Sequence, residues 1–408
     1  MKFQDLGLDP QLVKAVEEIG YEEPTDIQAT AIPLIKEGRD IFGQSSTGSG
    51  KTAAFGLPIL EKINHQGRVQ VLVLVPTREL CEQVASEFVK FAKYKPTKIL
   101  AVYGGVSISK QINNLRNTDV VIGTPGRVLD HIARRTLDLK NVKFLVLDEA
   151  DKMFDMGFVK AIKRIIQYVP NDRQTLLFSA TISSEIIHLA KSYMRNPEKI
   201  KTDSYIQKGQ LAQTYHNVTV SDKFSLLVHL LALEKPTVAV VFCATRKRVN
   251  SVEKNLKKYM NVLAIHGGLT QSKRTSIMDL VKKGEVNVLV ATDVAARGID
   301  IKTVTHVFNY DVPKTSKDYV HRIGRTARAG ETGKAITLLC PEDHENFRHV
   351  LVDSEIDVAE NQDFRRLQFE VIRTDRQRFN HRRFSGNRNS SNGRGSSRHS
   401  NSGQRRWR

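Results

Sequence analysis

Two short segments hold the residues best suited to phosphate chemistry. Ser45-Ser46-Thr47-Gly48-Ser49-Gly50-Lys51-Thr52 is small and glycine-rich, ends in a cation and a hydroxyl, and runs into the helix-forming Ala53-Ala54-Phe55. Glycines let backbone N–H groups of Ser46 to Gly50 close around phosphate oxygens, and the next helix adds its positive end. Lys51 would neutralise the outer phosphates and the Thr52 hydroxyl would ligate magnesium. The general pattern has glycine where this chain has Ser45, a small departure because serine also permits a tight loop. The second segment, Asp148-Glu149-Ala150-Asp151, follows the apolar run Phe144–Leu147. Asp148 at a strand end suits a magnesium-holding carboxylate, and Glu149 could orient and deprotonate an attacking water. Alone, these four residues would serve equally as the acidic start of a helix. Beside a phosphate loop they imply nucleoside triphosphate hydrolysis.

Such residues need a scaffold that brings strand ends together. Val69–Val75, Asp119–Gly123, Phe144–Leu147 and Gln174–Phe178 read as strands buried on both faces, with helical patterns at Arg78–Phe91 and Phe158–Tyr168 between them. The pattern restarts with strands at Val238–Phe242, Val262–Ile265, Val286–Val290, His306–Asn309 and Ala335–Leu339, and helices at Lys247–Tyr259 and Lys273–Lys283. The break lies near Asn196-Pro197 and the polar stretch Lys201–Gln210. This predicts two α/β domains, each a parallel sheet flanked by helices, with ligands at the carboxyl ends of strands. The boundaries read as 1–200, a linker at 201–212, 213–355, and a tail at 356–408. The strand pattern stops after about Asp353.

The formal charge is +19, and ten arginines with no acid lie between Arg376 and Arg408, so the first 375 residues carry only +9. A basic balance attracts polyanions, chiefly nucleic acid. Cys81, Cys243 and Cys340 have no metal-ligand spacing and make no disulfide framework, which fits a reducing cytosol. No signal peptide pattern opens the chain, and no apolar stretch is long enough to span a bilayer. A cytoplasmic protein without a membrane partner is expected.

A phosphate loop does not read the base. Upstream, the Gln28 amide can pair with adenine N6 and N7, and Tyr21 offers a ring for stacking. By itself the segment Gly20–Gln28 reads more readily as a turn and helix cap. With the motifs Pro76-Thr77-Arg78-Glu79-Leu80, Gly104-Gly105, Thr124-Pro125-Gly126-Arg127, Ser179-Ala180-Thr181, Val241–Thr245, Gln271-x-x-Arg274, Ala291–Asp300 and His321–Arg328, the chain resembles the DEAD-box ATP-dependent RNA helicases of superfamily 2 over residues 3 to 345.

The resemblance implies two tandem RecA-like domains, with ATP and Mg2+ in the cleft between them and RNA across the opposite face. Residues 1–29 match the adenine-sensing Q motif. Tyr21 and Gln28 would hold adenine, and Asp300 the ribose. Lys51, Thr52, Asp148 and Glu149 keep the roles given above. Arg325 and Arg328 match arginine fingers, although their spacing alone would leave them ordinary helix-surface arginines. Asp151, Ser179, Thr181 and His321 would couple hydrolysis to strand separation. Thr77, Arg78, Gly105, Thr124, Gly126 and Arg127 would grip RNA phosphates from the first domain, and Gln271, Arg274 and Thr292 from the second. Such contacts carry no sequence information. His266-Gly267-Gly268 departs from the family's His-Gly-Asp, and the missing acid is expected to loosen that loop.

The expected function is RNA-stimulated ATP hydrolysis that drives domain closure and local unwinding. An ATP-gated clamp or annealer and a DNA translocase are the rivals. A monomer is expected, and ribosome assembly and RNA decay are both open as settings. The tail carries Phe379, Phe384 and Trp407 among its arginines, and both residue types stack on exposed bases. It reads as a disordered, nonspecific RNA tether, or as plain solvated chain. If it is a tether, deleting Arg376–Arg408 weakens RNA affinity and flattens its salt dependence, with basal ATPase nearly unchanged. An unchanged slope of log affinity against log salt rules the tether out.

Overall fold

The computed structural model describes residues 1–45, 48–202, 210–296, 303–327, 332–351, 357–358 and 364–370, all within one compact unit, Met1–Val371. Fourteen strands among them form two parallel sheets of seven. The first contains β1 (Ile41–Gln44), β2 (Val71–Leu74), β3 (Ile99–Val102), β4 (Val120–Gly123), β5 (Phe144–Leu147), β6 (Gln174–Ser179) and β7 (Glu198–Lys201), in the order β3-β4-β2-β5-β6-β1-β7. The second contains β8 (Leu211–Asn217), β9 (Ala239–Phe242), β10 (Val262–Ile265), β11 (Val288–Ala291), β12 (His306–Asn309), β13 (Gly333–Leu339) and β14 (Asp357–Val358). Its order, β10-β11-β9-β12-β13-β8-β14, repeats the first.

Parallel strands need crossover connections, and those helices cover both faces of each sheet. Alternation along a strand then feeds two cores. In β2, Val71 and Val73 join one cluster while Leu72 and Leu74 join the other. In β9, Ala239 and Val241 face one layer, and Val240 and Phe242 the opposite one.

Every strand read from the sequence is present. Of the additional strands, β3 is apolar throughout, Ile-Leu-Ala-Val, and went unread, while β7, β1 and β8 explain themselves by composition. β7 is Glu-Lys-Ile-Lys, an edge strand with one buried residue, Ile200, and charges that keep the edge soluble. β1 is four residues long and β8 is largely polar, so neither gives a strong apolar run. Pro197 precedes β7 instead of closing the first sheet, which runs on to Lys201.

The strand pattern also continues past Asp353, because β14 pairs with β8. Beyond it, Phe364, Leu367 and Phe369 pack against the second core, with Phe369 5.1 Å from the Phe224 ring. Glu370 exchanges hydrogen bonds with the Asn255 side chain and pairs with Lys254 and Lys258. Three half-buried apolar groups on a polar strap were too sparse to stand out from the tail.

Phe369→Ala removes about half of a full Phe burial and should cost roughly 2 kcal/mol. A thermal unfolding midpoint identical to wild type would show that the strap does not stabilise the second sheet.

Candidate nucleotide and nucleic-acid site

The phosphate loop leaves β1 through Ser45, whose N–H donates to the Ser179 carbonyl at 3.0 Å. The helix Lys51–Lys62 begins after Gly50, which sits at φ +89°. A Cβ there would stand 2.3 Å from Gln28 Nε2, so glycine is required for both conformation and space. Lys51 is buried and folds back, its Nζ donating to the Ser45 carbonyl at 3.1 Å. Ser45 and Ser49 hydroxyls meet at 3.0 Å. Gly48 has φ +87°, and Thr52 is half-buried. Ser46 and Thr47 lie outside the described residues.

Gln28 supports this loop from behind. Its carbonyl accepts from Thr25 N–H at 3.0 Å, completing a capping box, and its amide donates to the Gly50 carbonyl at 3.0 Å. Thr25 Oγ1 donates to the Ser49 carbonyl at 2.8 Å. The helix-cap alternative is therefore what the chain itself uses. Each amide atom keeps capacity for one further bond. The Tyr21 ring rests on Phe3 and Phe91, at 6.3 and 6.5 Å.

Asp148 follows β5 and is 3% exposed, with its Oδ1 accepting from Glu149 N–H at 2.9 Å. Burial pushes its carboxyl up to about 6 against the pull of Lys51. Glu149 occupies the left-handed region at φ +51°, just before the short helix Ala150–Asp155. Its Oε1 accepts from Lys152 Nζ at 2.7 Å, while its Oε2 is buried with no hydrogen-bond partner among the described residues. Burial works against the Glu149 charge, but Lys152, Lys51 and Arg325 outweigh it and hold the group below the usual carboxylate range.

Asp151, 1% exposed, accepts from Thr181 N–H at 3.1 Å and Thr181 Oγ1 at 3.0 Å. Ser179 donates to the Thr181 carbonyl at 2.6 Å. His321 Nε2, on the second sheet's helix Ser316–Ile323, lies 3.7 Å from Asp151 Oδ2, in ion-pair range only when the imidazole is protonated, and neither ring nitrogen has a hydrogen-bond partner among the described residues. Burial opposes the Asp151 charge, yet His321, Lys152 and Lys317 keep its carboxyl well below the ordinary range. Burial and nearby cations lower His321 despite Asp151. Arg325 is buried beside them and donates from Nε to the His321 carbonyl at 3.2 Å. Arg322 fixes that helix through both Asp293 oxygens, Asn309 and the Asp311 carbonyl. All four candidate coupling residues thus come together across the two sheets. Arg328 and Asp300 lie outside the described residues.

The candidate RNA contacts gather at helix starts after strand ends. Thr77 caps Arg78–Phe91 by accepting from Leu80 N–H at 3.2 Å. Arg78 lies against Gly105 (φ +88°), where any Cβ would fall 2.0 Å from its guanidinium. Thr124 precedes the helix Pro125–Ala133, and Gly126 on that helix faces open space. Arg127 instead turns inward, donating to the Val106 carbonyl and to Gln111 Oε1. Thr292 accepts from the N–H groups of Ala295 and Ala296. Gln271 and Arg274 reach Glu79 on the first sheet's side at 3.3 and 2.9 Å. The loop at Gly268 makes local hydrogen bonds. Its N–H donates to His266 Nδ1 at 3.1 Å, and His266 Nε2 meets Asn250 Oδ1 at 2.9 Å.

Residues 25–189 match the DEAD/DEAH box helicase family, and residues 222–330 match the helicase conserved C-terminal domain. ATP-dependent RNA helicase CshA of Listeria monocytogenes is 49% identical over 346 residues, 84% of this chain and 66% of that protein. DEAD-box ATP-dependent RNA helicase CshA of Geobacillus kaustophilus is 46% identical over 353 residues, 85% of this chain and 75% of the relative. The chain belongs to the DEAD-box helicase family. It spans just under two thirds of the Listeria relative's length.

Among solved DEAD-box structures, a point variant of S. cerevisiae Dbp5 bound to RNA and ADP BeF3 matches with TM-score 0.81 at 33% identity, over 88% of this chain and 95% of that one. The same variant bound to a Gle1 variant and IP6 gives 0.72 at 33% identity, over 89% and 95%. No helix among the described residues is long and apolar enough to cross a membrane.

Three charged groups in contact with the site carried no role in the sequence reading. Glu79 stands inside the Pro76–Leu80 motif, next to Arg78. Lys152 lies three residues after Glu149, the spacing that brings side chains together on a helix. Lys317 pairs with Asp155 across the sheets at 3.0 Å. Asp151→Ala leaves the Thr181 N–H without its acceptor and should cost about 1–3 kcal/mol. Lys317→Ala breaks a partly exposed pair and should cost about 0.2–1 kcal/mol. Urea midpoints in the reverse order would show that the Asp151 cluster is not a structural link.

Proposed function

We propose that the chain is an ATP-dependent RNA helicase in which RNA-stimulated hydrolysis is tied to closure of its two RecA-like domains. The observation that carries this reading is the chain Thr181–Asp151–His321. It brings the segments that follow β5 and β6 against the helix Ser316–Ile323, two residues before Arg325. Hydrolysis chemistry is then complete only while the two halves are together. The higher similarity to the RNA- and nucleotide-bound Dbp5 variant than to its Gle1-bound form supports a closed arrangement.

In this reading Gly48 to Lys51 cradle the phosphates, together with Ser46 and Thr47, and Lys51 swings from the Ser45 carbonyl to neutralise them. The buried, proton-hungry Asp148 carboxylate and the Thr52 hydroxyl fit a hard cation, and bound Mg2+ would supply charge neutralisation of the phosphates. Glu149 accepts the proton of the attacking water at its free Oε2. Arg325 and Arg328 answer the charge that spreads over the transferred phosphoryl group, an effect typically worth about 10³–10⁵ in rate. Gln28 and Tyr21 hold adenine and Asp300 the ribose.

RNA lies along Thr77, Arg78, Gly105, Thr124, Gly126, Gln271, Arg274 and Thr292. Arg127 contributes by bracing the loop at Val106. ATP and RNA that both favour the closed form bind cooperatively. A pure clamp has less support, because base and finger are both present and buried together.

Glu149→Gln should retain ATP and RNA binding while hydrolysis falls about 10²-fold or more. Normal hydrolysis by this variant would exclude Glu149 as the base. Wild-type ATPase stimulated equally by DNA of the same sequence would point to the DNA translocase instead.

A further inference from the structure

Lys152 belongs to none of the motifs that carry the family resemblance, yet its side chain is fully buried beside the candidate base. A lysine at the start of a surface helix would ordinarily extend into water, since burying an ammonium is costly unless it is paired. Here it touches both acids that the proposed function depends on. Its backbone N–H donates to Asp151 Oδ1 at 3.0 Å, and its Nζ donates to Glu149 Oε1 at 2.7 Å. The left-handed backbone at Glu149 turns that carboxylate back toward the first helical turn, where residue 152 can reach it.

The two Glu149 oxygens are therefore unequal. Oε1 is taken by a charge-assisted bond, and Oε2 is buried without a hydrogen-bond partner. Across the sheets, the charge of Arg325 acts on both Glu149 and Lys152. Without Lys152, the cations left acting on Glu149 are Lys51 and Arg325, and neither has a hydrogen bond to its carboxylate among the described residues.

We propose that Lys152 is a positioning residue for Glu149, occupying Oε1 so that Oε2 faces the water. This rests on the reading of Glu149 as the general base. The ammonium also makes Glu149 a weaker base, so the gain must come from orientation. A fixed geometry is what proton transfer from a held water requires.

The test measures RNA-stimulated ATPase of the full chain for Lys152→Met, Lys152→Arg, Glu149→Gln and the double variant Glu149→Gln/Lys152→Met. Lys152→Met should lower kcat at least tenfold with KM for ATP within threefold. Lys152→Arg, which keeps the donor and the charge, should stay within threefold of wild-type kcat. In the Glu149→Gln background, Lys152→Met should cost less than a further threefold, because the two residues act as one unit.

The proposal is overturned if Lys152→Met keeps kcat within threefold. It is also overturned if KM rises as much as kcat falls, which would place the ammonium on a phosphate, or if the losses multiply. Should Lys152→Met alone not fold, the double variant removes both charges of the buried pair. Compared with Glu149→Gln, weaker ATP-analogue binding or a further loss of rate overturns the proposal, and equal values support it. Full hydrolysis by Glu149→Gln overturns the base reading itself, separately from any result at Lys152.

Discussion

The constraint on which the rest depends is the burial of three carboxylates within four residues. Asp148, Glu149 and Asp151 are 3%, 5% and 1% exposed. Charges removed from water must be compensated nearby, or the fold loses several kcal/mol for each. Lys51 and Lys152, from the same half of the chain, act on Asp148 and Glu149. Asp151 accepts from the Thr181 hydroxyl and N–H and from the Lys152 N–H, and its charge is held by Lys152 from its own half and by His321 and Lys317 from the other. Both halves thus supply cations to the cluster, Lys51 and Lys152 from the first and Arg325 and Lys317 from the second. Docking of the halves is in this sense an electrostatic completion of the site.

That completion needs a rigid donor. Arg322 holds the helix Ser316–Ile323 to Asp293, Asn309 and the Asp311 carbonyl, at the carboxyl ends of β11 and β12. His321 and Arg325 are therefore fixed to the second sheet. On the first sheet, the Ser45 N–H bonded to the Ser179 carbonyl links the phosphate loop to the segment that carries Thr181. Parallel strands place these groups at one edge, which is why residues more than a hundred positions apart share a site.

The sequence was legible at most signals with a period or a motif, although the apolar run of β3, Ile99–Val102, went unread. Runs such as Phe144–Leu147 and Val262–Ile265 have strand bounds identical to those in the structure, because strands buried on both faces are continuously apolar. β7 and the Phe364–Glu370 strap were not legible, since edge positions need only one or a few apolar contacts. At the site, residue types revealed which groups could act but not which were already engaged. Arg127 looked like a phosphate ligand and is spent on Val106 and Gln111. Gln28 looked divided between base and cap, and the cap is made. Lys152 was invisible because one lysine after four acidic-motif residues has no pattern of its own. Only the left-handed turn at Glu149 shows where its ammonium goes.

The second contact between the halves differs in kind from the first. Glu79 accepts from Arg274 and Gln271 near the helix starts assigned to RNA, and both Glu79 and Arg274 are about one-eighth exposed. Arg274 Nε and Gln271 Oε1 remain buried without hydrogen-bond partners among the described residues. An arginine held by one acid and still carrying an unmet donor is prepared for a second anion. A phosphate arriving there would share Arg274 with Glu79 and so add to the interface instead of replacing it. The nucleotide-side contact at Asp151 and the RNA-side contact at Glu79 would then draw on one displacement of the sheets. By linkage, whatever ATP contributes to RNA affinity, RNA must contribute to ATP affinity.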